Sequence, residues 1–310
     1  MKTNYRTIAV LGSGAWGSAL ATLAGVNNHE IRLWSRRNEL SLEAAIADAD
    51  VIVSAISMKG VAEIAEKLRA ISIPAKAIIV TATKGLDPET SRTPSQIWQA
   101  TFPEHPIVVL SGPNLSKEIE AGLPAATVVA STDPQAAATV QELFASDCFR
   151  VYTNNDPLGT ELGGTLKNVM AIAVGVCEGL KLGTNAKSAL ITRALPEMIR
   201  IGTHLGAQPE TFLGLAGLGD MLATCTSPLS RNYRVGYGLA QGKKLDVILE
   251  ELGSTAEGVN TTAVLIELAQ REQIPVPISH QVFLLLNGKI NPKEAVTILM
   301  ERQLKPEACD

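Results

Sequence analysis

The feature that most constrains this chain is a glycine-rich turn near its start, Gly12-Ser13-Gly14-Ala15-Trp16-Gly17. It follows the strand-length apolar run Ile8–Leu11 and precedes an alanine- and leucine-rich stretch, 18–26, that is typical of a helix. In that context Gly12 permits a tight turn, Gly14 lets a phosphate approach the backbone, and Gly17 lets the helix pack closely on the strand. The N–H groups and the positive end of the helix dipole then face a pyrophosphate. We therefore predict a dinucleotide-binding turn; the alternative is that the glycines merely turn a βα unit.

The first half of the chain alternates β-branched runs with helical stretches. Six further runs have strand character: Glu30–Ser35, Val51–Ile56, Ala77–Thr83, Ile107–Leu110, Ala126–Ala130 and Phe149–Tyr152. This pattern predicts an α/β fold with a Rossmann-type, doubly wound, mostly parallel sheet that binds ligands at the carboxyl ends of its strands. Polar or small residues follow several of these runs, at 35–37, 57–59, 84–85 and 111–114. We therefore expect the chemistry along one edge of the sheet.

Beyond Tyr152 the β-rich runs give way to helical ones. The segment Asn154-Asn155-Asp156-Pro157 marks the change. We expect a dinucleotide-binding domain over residues 1–155 and an all-helical substrate domain over 156–310, with the substrate between them. Helices are predicted over Gly163–Leu180, Ala186–Leu205, Pro209–Ala223, Asn232–Gln241, Leu245–Leu252, Thr261–Gln273 and Ser279–Leu286.

Composition restricts the possible partners. The 310 residues are 46% hydrophobic and 19% charged, which is typical of a folded globular chain. A formal net charge of −4 argues against a general nucleic-acid or anionic-membrane surface. The chain has no apolar run of bilayer length, and its four cysteines and four histidines lack metal-site spacing. Because of that spacing we expect no metal. Because the start leads directly into the first strand, with no room for a signal peptide, we expect a cytoplasmic protein.

The end of the second predicted strand indicates which dinucleotide is bound. An NAD-specific site usually offers an acid there, about 20 residues after the glycine turn, to the ribose 2′-hydroxyl. Here Ser35 occupies that position and is followed by Arg36 and Arg37. Two guanidiniums favour a 2′-phosphate, so we predict that NADPH binds more tightly than NADH, which is also used. The alternative is a solvated basic turn.

Polar residues of the helical half also stand out. Lys167 lies in an otherwise apolar helical stretch, and Asp220 interrupts an apolar run and could hold that lysine. Ser230, Arg231 and Asn232 follow a proline-containing loop and open a helix. These patterns suggest a lysine that donates and accepts a proton, and a small anion site at a helix N-terminus. The alternatives are a lysine that extends to solvent and an ordinary N-cap.

Taken together, these segments resemble the bacterial-type NAD(P)-dependent glycerol-3-phosphate dehydrogenases over nearly the whole chain. The resemblance implies interconversion of dihydroxyacetone phosphate and sn-glycerol 3-phosphate by hydride transfer, for glycerophospholipid biosynthesis, and a homodimer. It rests on Gly12–Gly17, Thr83–Leu86, Ser111–Asn114, Leu162–Asn168, Gly214–Asp220 and Ser230–Asn232, in this order.

The resemblance also implies roles for individual residues. Lys167 matches the proton acceptor, and Lys84 matches a residue that contacts both cofactor and substrate. The positions that match substrate contacts are Gly112, Asn114, Asp220, Ser230, Arg231 and Asn232. The positions that match the surroundings of the cofactor are Trp16, Arg36, Arg37, Ser116, Arg231 and Glu257.

The chain departs from the family pattern twice. Ala15 stands where the family usually has a serine, which removes one phosphate hydrogen bond, and the segment between Arg37 and Val51 is shorter than is common. Both departures concern the cofactor, not the catalytic lysines. Two other functions are open at this stage: a related ketopantoate-type reductase whose substrate carries a carboxylate, and a non-catalytic NADPH-sensing module. The set of Lys167, Asp220 and Arg231 counts against the second.

Overall fold

The computed structural model describes residues 5–253, 255–304 and 306–307, which form two compact units. The first comprises residues 5–87 and 92–161, and the second comprises 88–91 and the described residues from 162 onward. The division falls inside a helix, between Glu161 and Leu162, a little beyond the position expected from sequence. A functional boundary at 155/156 stays a prediction.

The first unit is built on one seven-stranded sheet. Its strands are β1 (Thr7–Leu11), β2 (Glu30–Trp34), β3 (Val51–Ser54), β4 (Ile78–Thr81), β5 (Ile107–Ser111), β6 (Ala125–Ala130) and β7 (Phe149–Asn154). They lie in the order β2-β1-β3-β4-β5-β6-β7, and every neighbouring pair is parallel except β5 and β6. The predicted doubly wound, mostly parallel sheet is confirmed. The strand order switches sides at β1: the chain continues from β1 to β2 on one side and then to β3 on the other. Sheets of this kind bind ligands at such a switch point.

Helices cover both faces of this sheet. They are α1 (Ala15–Val26), α2 (Leu42–Ile46), α3 (Val61–Ile71), α4 (Pro94–Thr101), α5 (Ser116–Glu120) and α6 (Pro134–Phe144). Successive strand side chains point to opposite faces. Accordingly Val10 and Val53 pack in one core with α1 and α6, whereas Ile52 and the fully buried Trp98 pack in another with α3 and α4. The parallel strands therefore bring their carboxyl ends to one edge, and the polar segments that follow β2 to β5 lie along it.

The second unit is helical over its described residues. Its helices are α7 (Pro157–Gly179, whose first turns belong to the first unit), α8 (Gly183–His204), α9 (Asp220–Thr226), α10 (Arg231–Ala240), α11 (Leu245–Leu252), α12 (Glu257–Arg271), α13 (Pro277–Leu286) and α14 (Pro292–Met300). Helix α7 starts at Pro157, before the predicted Gly163, because Asp156 accepts a hydrogen bond from the Gly159 N–H (2.9 Å) and proline suits the first helical position. Helix α14 was not predicted, although Asn291 caps it.

The prediction of one helix over Pro209–Ala223 is wrong. The chain instead forms a 3₁₀ turn over Pro209–Leu213, a π-helical turn over Leu215–Gly219 and then α9. Glycine is the reason: a Cβ on Gly217 would lie 2.1 Å from the Phe212 carbonyl oxygen, so the backbone makes an approach that a regular helix of larger residues would not allow.

Candidate active site

The glycine turn is shaped by close backbone contacts on two sides and is open on the third. Gly12 has φ +116°, and a Cβ there would lie 2.6 Å from the Ala55 carbonyl oxygen. A Cβ on Gly17 would lie 1.8 Å from the Gly12 oxygen, so α1 packs directly on the turn. At Gly14 a Cβ would meet no heavy atom within 4 Å. The turn is therefore tight where it contacts the fold and open where a ligand phosphate is expected.

The N-terminus of α1 has the properties of an anion site. Gly14 is its N-cap, makes no side-chain cap hydrogen bond, and is followed by no acidic residue in the first turn. The first N–H groups of a helix lack intrahelical partners, and the helix dipole favours negative charge there. A dinucleotide pyrophosphate fits this open glycine position. Trp16 links the first turn of α1 to the end of β4, because its Nε1 donates to the carbonyl oxygen of Ala82 (3.3 Å), just after that strand.

The two arginines predicted to select NADPH lie after β2, next to the glycine turn. Ser35 and Asn38 order this loop: the Ser35 N–H donates to Asn38 Oδ1 (2.9 Å), and the Arg37 N–H donates to Ser35 Oγ (3.3 Å). Arg36 and Arg37 are both exposed, and Arg36 Nη1 is 4.0 Å from a Glu63 carboxylate oxygen. The loop is folded, and its guanidiniums stay accessible to a ligand.

The shortened segment after this loop is also well formed. Ser41 caps the short helix α2 by accepting from the Ala44 N–H (3.1 Å). The Arg32 guanidinium, on β2, donates to the Ala47 carbonyl oxygen and closes the segment against the sheet. The shortening therefore leaves a capped turn of helix at this edge.

Four further predicted residues follow β4 and β5. Lys84 is half-buried, and Ser116 is the first residue of α5. Gly112 has φ +156°, and a Cβ there would lie 3.0 Å from Thr127 Cα. Both amide atoms of Asn114 are buried without a hydrogen-bond partner among the described residues. An unpaired buried amide costs roughly 1–3 kcal/mol per polar group, so Asn114 is a position that a bound ligand would complete.

In the helical unit the structure brings Lys167 and Asp220 together. Lys167 Nζ donates to Asp220 Oδ1 (2.6 Å) and to Thr224 Oγ1 (2.5 Å), and Thr224 Oγ1 in turn lies 3.3 Å from the same carboxylate oxygen. Lys167 is 6% exposed and Asp220 2%. The solvent-reaching alternative for Lys167 is therefore wrong. Burial raises the pKa of the neighbouring Cys225 thiol to about 12, so this cysteine stays neutral beside the ion pair.

Glycine contacts hold this cluster in place. A Cβ on Gly163 of α7 would lie 2.7 Å from the Ala216 carbonyl oxygen of the π-helical turn that leads into Asp220. Farther along, a Cβ on Gly175 would lie 2.1 Å from the Tyr233 oxygen, and one on Gly236 would lie 1.9 Å from the Ile172 oxygen. Helix α7 thus packs backbone to backbone against the π-helical turn and α10, and its Lys167 contacts α9, which lies between those two segments in the chain.

Of the residues of the predicted anion site, Asn232 lies in a second hydrogen-bond network and Ser230 caps a helix. Asn232 Nδ2 donates to Asn168 Oδ1 (2.9 Å), and Asn232 Oδ1 accepts from the Gly258 N–H (3.0 Å) at the start of α12. Ser230 caps α10 by accepting from the Tyr233 N–H (3.2 Å), which is the N-cap role considered from sequence. Arg231, the first residue of α10, is exposed, and Glu257, the first residue of α12, is half-buried.

The site predictions omitted Thr224 and Asn168. Thr224 lies four residues after Asp220, the helical spacing that places two side chains on one face. Asn168 directly follows Lys167 within a segment already singled out. Both signals were present in the sequence, but each needed the fold to give it a partner.

Two kinds of feature are absent from the described ranges. No group of three or more His, Cys, Asp or Glu side chains there could hold a metal ion. Likewise, no described helix combines the length and apolar character needed to cross a bilayer. Cys309 lies outside the described residues.

An open glycine turn at the switch point of a parallel sheet, followed by a helical unit with a buried lysine–carboxylate pair, defines the class of two-domain nicotinamide-dependent dehydrogenases. The sequence models of the NAD-dependent glycerol-3-phosphate dehydrogenase family match this chain, the N-terminal model over residues 7–42 and 37–137 and the C-terminal model over 156–297. The chain belongs to that family.

Individual proteins agree with this assignment. The chain is 69% identical over 303 residues to "Glycerol-3-phosphate dehydrogenase [NAD(P)+]" of Acaryochloris marina, a match that covers 98% of each chain. It resembles the crystal structure of a glycerol-3-phosphate dehydrogenase from Coxiella burnetii, with a TM-score of 0.92, 35% identity, and coverage of 96% of this chain and 99% of that one. A ketopantoate reductase from Ralstonia eutropha has a TM-score of 0.58 at 12% identity, covering 93% of this chain and 99% of that one, and shares the fold alone.

Proposed function

We propose that this chain catalyses the interconversion of dihydroxyacetone phosphate and sn-glycerol 3-phosphate with NADPH or NADH, as a cytoplasmic enzyme that supplies glycerophospholipid synthesis. The observation that carries the proposal is the buried contact of Lys167 with Asp220 and Thr224, in a chain whose glycine turn fits a dinucleotide. A lysine kept out of water and held by two oxygen acceptors has the fixed geometry that proton transfer needs.

The bound nicotinamide supplies the hydride when the cofactor is present. Lys167 gives its proton to the ketone oxygen and stabilises the negative charge that develops there. Asp220 orients the lysine and favours its charged form. Because a lysine normally holds its proton near neutral pH, we expect reduction of dihydroxyacetone phosphate to dominate there and oxidation to improve at alkaline pH.

Substrate recognition rests on the start of α10 in the helical unit. The N–H groups at the start of α10 and the exposed Arg231 bind the substrate phosphate. Ser230 and Asn232 order this helix start through the hydrogen bonds described above. A phosphate held here places the reacting carbon, so binding energy away from the reaction centre serves catalysis. In the first unit, Gly112 and Asn114 complete the substrate contacts, and Lys84 contacts both ligands.

Cofactor recognition rests on the first unit. Gly12, Gly14 and Gly17 shape the pyrophosphate site, with Trp16 beside it. Arg36 and Arg37 pair with the 2′-phosphate and make NADPH the preferred cofactor. Ser116, Arg231 and Glu257 complete the cofactor contacts.

We include a homodimer in the proposal. Its support is the exposure of three leucines of the helical unit, Leu213, Leu222 and Leu229, which are 58%, 43% and 42% exposed. Light scattering of the purified chain should give twice the monomer mass. Charged substitutions at these leucines should yield monomers, and a monomeric wild type would end this part of the proposal.

The decisive experiment follows cofactor absorbance with dihydroxyacetone phosphate and with 2-ketopantoate as competing substrates. Turnover with the phosphate and none with the carboxylate supports the proposal, whereas the reverse would identify a ketopantoate-type reductase. Cofactor binding without turnover of either would leave the sensing module. Lys167→Ala should abolish turnover while NADPH binding stays nearly intact; near-normal turnover would refute the role of Lys167.

Arg231→Ala tests the phosphate site separately. Removing the guanidinium should raise the KM for dihydroxyacetone phosphate steeply, with a smaller effect on kcat. An unchanged KM would move the phosphate site elsewhere.

A further inference from the structure

One buried carboxylate has no part in the chemistry described so far. Glu161, in the second turn of α7, is 1% exposed. Its carboxylate accepts from the backbone N–H of Ser95 (2.9 Å to Oε1) and from the Ser95 hydroxyl. Ser95 is the second residue of α4, so Glu161 binds the N-terminus of that helix from a distant part of the chain.

Helix α4 does not need Glu161 as its cap. Thr93 accepts from the Gln96 N–H (3.4 Å), and Gln96 Oε1 accepts from the Thr93 N–H (3.0 Å), which completes a capping box. Glu161 adds a further acceptor at a terminus that is already capped. Burying a carboxylate costs several kcal/mol, which offsets much of what the hydrogen bonds from Ser95 return, so helix capping alone accounts poorly for a glutamate at this position.

The two ends of this contact lead to two proposed catalytic residues. Along α7, Lys167 lies six residues after Glu161, about 9 Å at 1.5 Å per residue. On the other side, the segment that enters α4 through Thr93 begins at Lys84, just after β4. We propose that Glu161 is a positioning residue that fixes the start of α7, and with it Lys167, by binding Ser95 at the N-terminus of α4.

The effect passes through the backbone, because Glu161 and Lys167 point to different sides of α7. At about 100° per residue, six residues turn the helix by roughly 240°. Loss of the Glu161 contact frees the first turns of α7, and Lys167 then spends less time where proton transfer occurs. Such a change lowers kcat more than it weakens cofactor binding.

Glutamine is a fair substitute for Glu161, because it keeps the size of the side chain and an oxygen that accepts a hydrogen bond. Burial raises the pKa of Glu161 to about 7, while hydrogen bonds from Ser95 and Thr93 oppose the rise. A glutamine amide retains an oxygen for the Ser95 N–H and an N–H for the Ser95 hydroxyl oxygen. Glu161→Gln should therefore keep the contact, and Glu161→Ala should lose it.

The chain offers a matched control in Glu197. This second buried glutamate, in α8, accepts from the N–H groups of Ile278 (2.8 Å) and Ser279 (2.8 Å) at the start of α13. Glu197→Ala therefore removes the same kind of contact at a helix that carries none of the proposed site residues. It should lower the melting temperature and leave kcat within about twofold of wild type.

The experiment measures kcat, the KM for dihydroxyacetone phosphate, the Kd for NADPH and the melting temperature of these variants. Glu161→Ala should lower kcat at least tenfold with the NADPH Kd unchanged, and Glu161→Gln should recover most of kcat. Wild-type kcat in a folded Glu161→Ala protein overturns the proposal, and so does an equal loss in Glu197→Ala. If Glu161→Ala does not fold, Glu161→Met takes its place, because an apolar side chain of similar size accepts neither the Ser95 N–H nor the Ser95 hydroxyl: lowered kcat supports the proposal and unchanged kcat contradicts it.

The inference rests on the proposed role of Lys167, and hydrogen exchange separates the two. Glu161→Ala should speed amide exchange in residues 158–166 relative to Glu197→Ala, whether or not the wild type reduces dihydroxyacetone phosphate. If Glu161→Ala exchanges faster but the wild type is inactive, the role of the Glu161 contact in holding α7 stands and the proposed function fails. Unchanged exchange overturns the positioning role by itself.

Discussion

The buried pair of Lys167 and Asp220 allows its structural role to be separated from its chemical role. Asp220→Val leaves an ammonium ion that is 6% exposed without its carboxylate, and Lys167→Met leaves a carboxylate that is 2% exposed without its ammonium. Breaking a buried ion pair from one side costs about 3–5 kcal/mol, because the remaining charge stays buried and loses the attraction of the opposite charge beside it. Replacing both partners with apolar residues removes that penalty, so the free energy of unfolding of the double variant should be close to that of the wild type.

These free energies convert into a measurable shift. In a unit of this size, 1 kcal/mol moves the melting temperature by roughly 2–4 °C. Each single variant should therefore melt roughly 6–20 °C below wild type, in the transition of the helical unit, and Lys167→Met/Asp220→Val should recover most of that difference. All three should lose turnover by about 10²–10⁴-fold, the usual contribution of a positioned proton donor.

Calorimetry and urea unfolding of the four proteins complete a double-mutant cycle. A coupling free energy of several kcal/mol together with lost turnover in the stable double variant assigns the pair to catalysis. If the double variant loses the sum of the two single losses, the two side chains do not compensate each other and the reasoning fails. Normal turnover in the double variant refutes the role of Lys167 directly.

Three further predictions concern the first unit. Gly14→Ala should weaken NADPH binding at least tenfold by isothermal calorimetry without changing the melting temperature, because the added Cβ meets only open space. Gly17→Ala should also lower the melting temperature, because its Cβ would collide with the Gly12 oxygen. Equal melting temperatures of the two variants would contradict the packing described. Arg36→Ala/Arg37→Ala should raise the Kd for NADPH at least tenfold and leave that for NADH unchanged, whereas equal losses would remove the 2′-phosphate contact. Burial lowers the pKa of His29, so folding favours its neutral form. The contribution of His29 to stability is therefore complete above about pH 6.5 and is lost as the pH drops below it. In thermal scans between pH 7.5 and 5.5, the melting temperature of His29→Gln should fall less than that of the wild type.

Local patterns carried most of the fold prediction. The run Ile8–Leu11 and the glycine turn encode strand, turn and helix within twenty residues, so their context could be inferred without tertiary information. Strands β3 and β5 were also found from local sequence, since a strand buried on both faces is nearly continuous in apolar residues. Strand ends were predicted less accurately. Strand β3 stops at Ser54, where its ladder with β4 ends, and not at the predicted Ile56.

Contacts between distant segments account for what the sequence did not predict. Composition favoured a helix over 209–223, but the approach of Gly217 to Phe212 produced a π-helical turn instead. Glu161 and Ser95 lie 66 positions apart, and no spacing rule connects them. Candidate residues were recognised where a charge interrupted an apolar run, as at Lys167, and were missed where a small polar side chain looked ordinary.

The π-helical turn over Leu215–Gly219 has a consequence for how such a chain can evolve. A π turn accommodates one residue more than an α turn, and Asp220 follows it immediately. Deleting a single residue there would let the segment rewind as a regular helix and swing the aspartate by about 100° away from the lysine. Length at this point is therefore as constrained as residue identity, and relatives that keep the activity should align across these five positions without gaps.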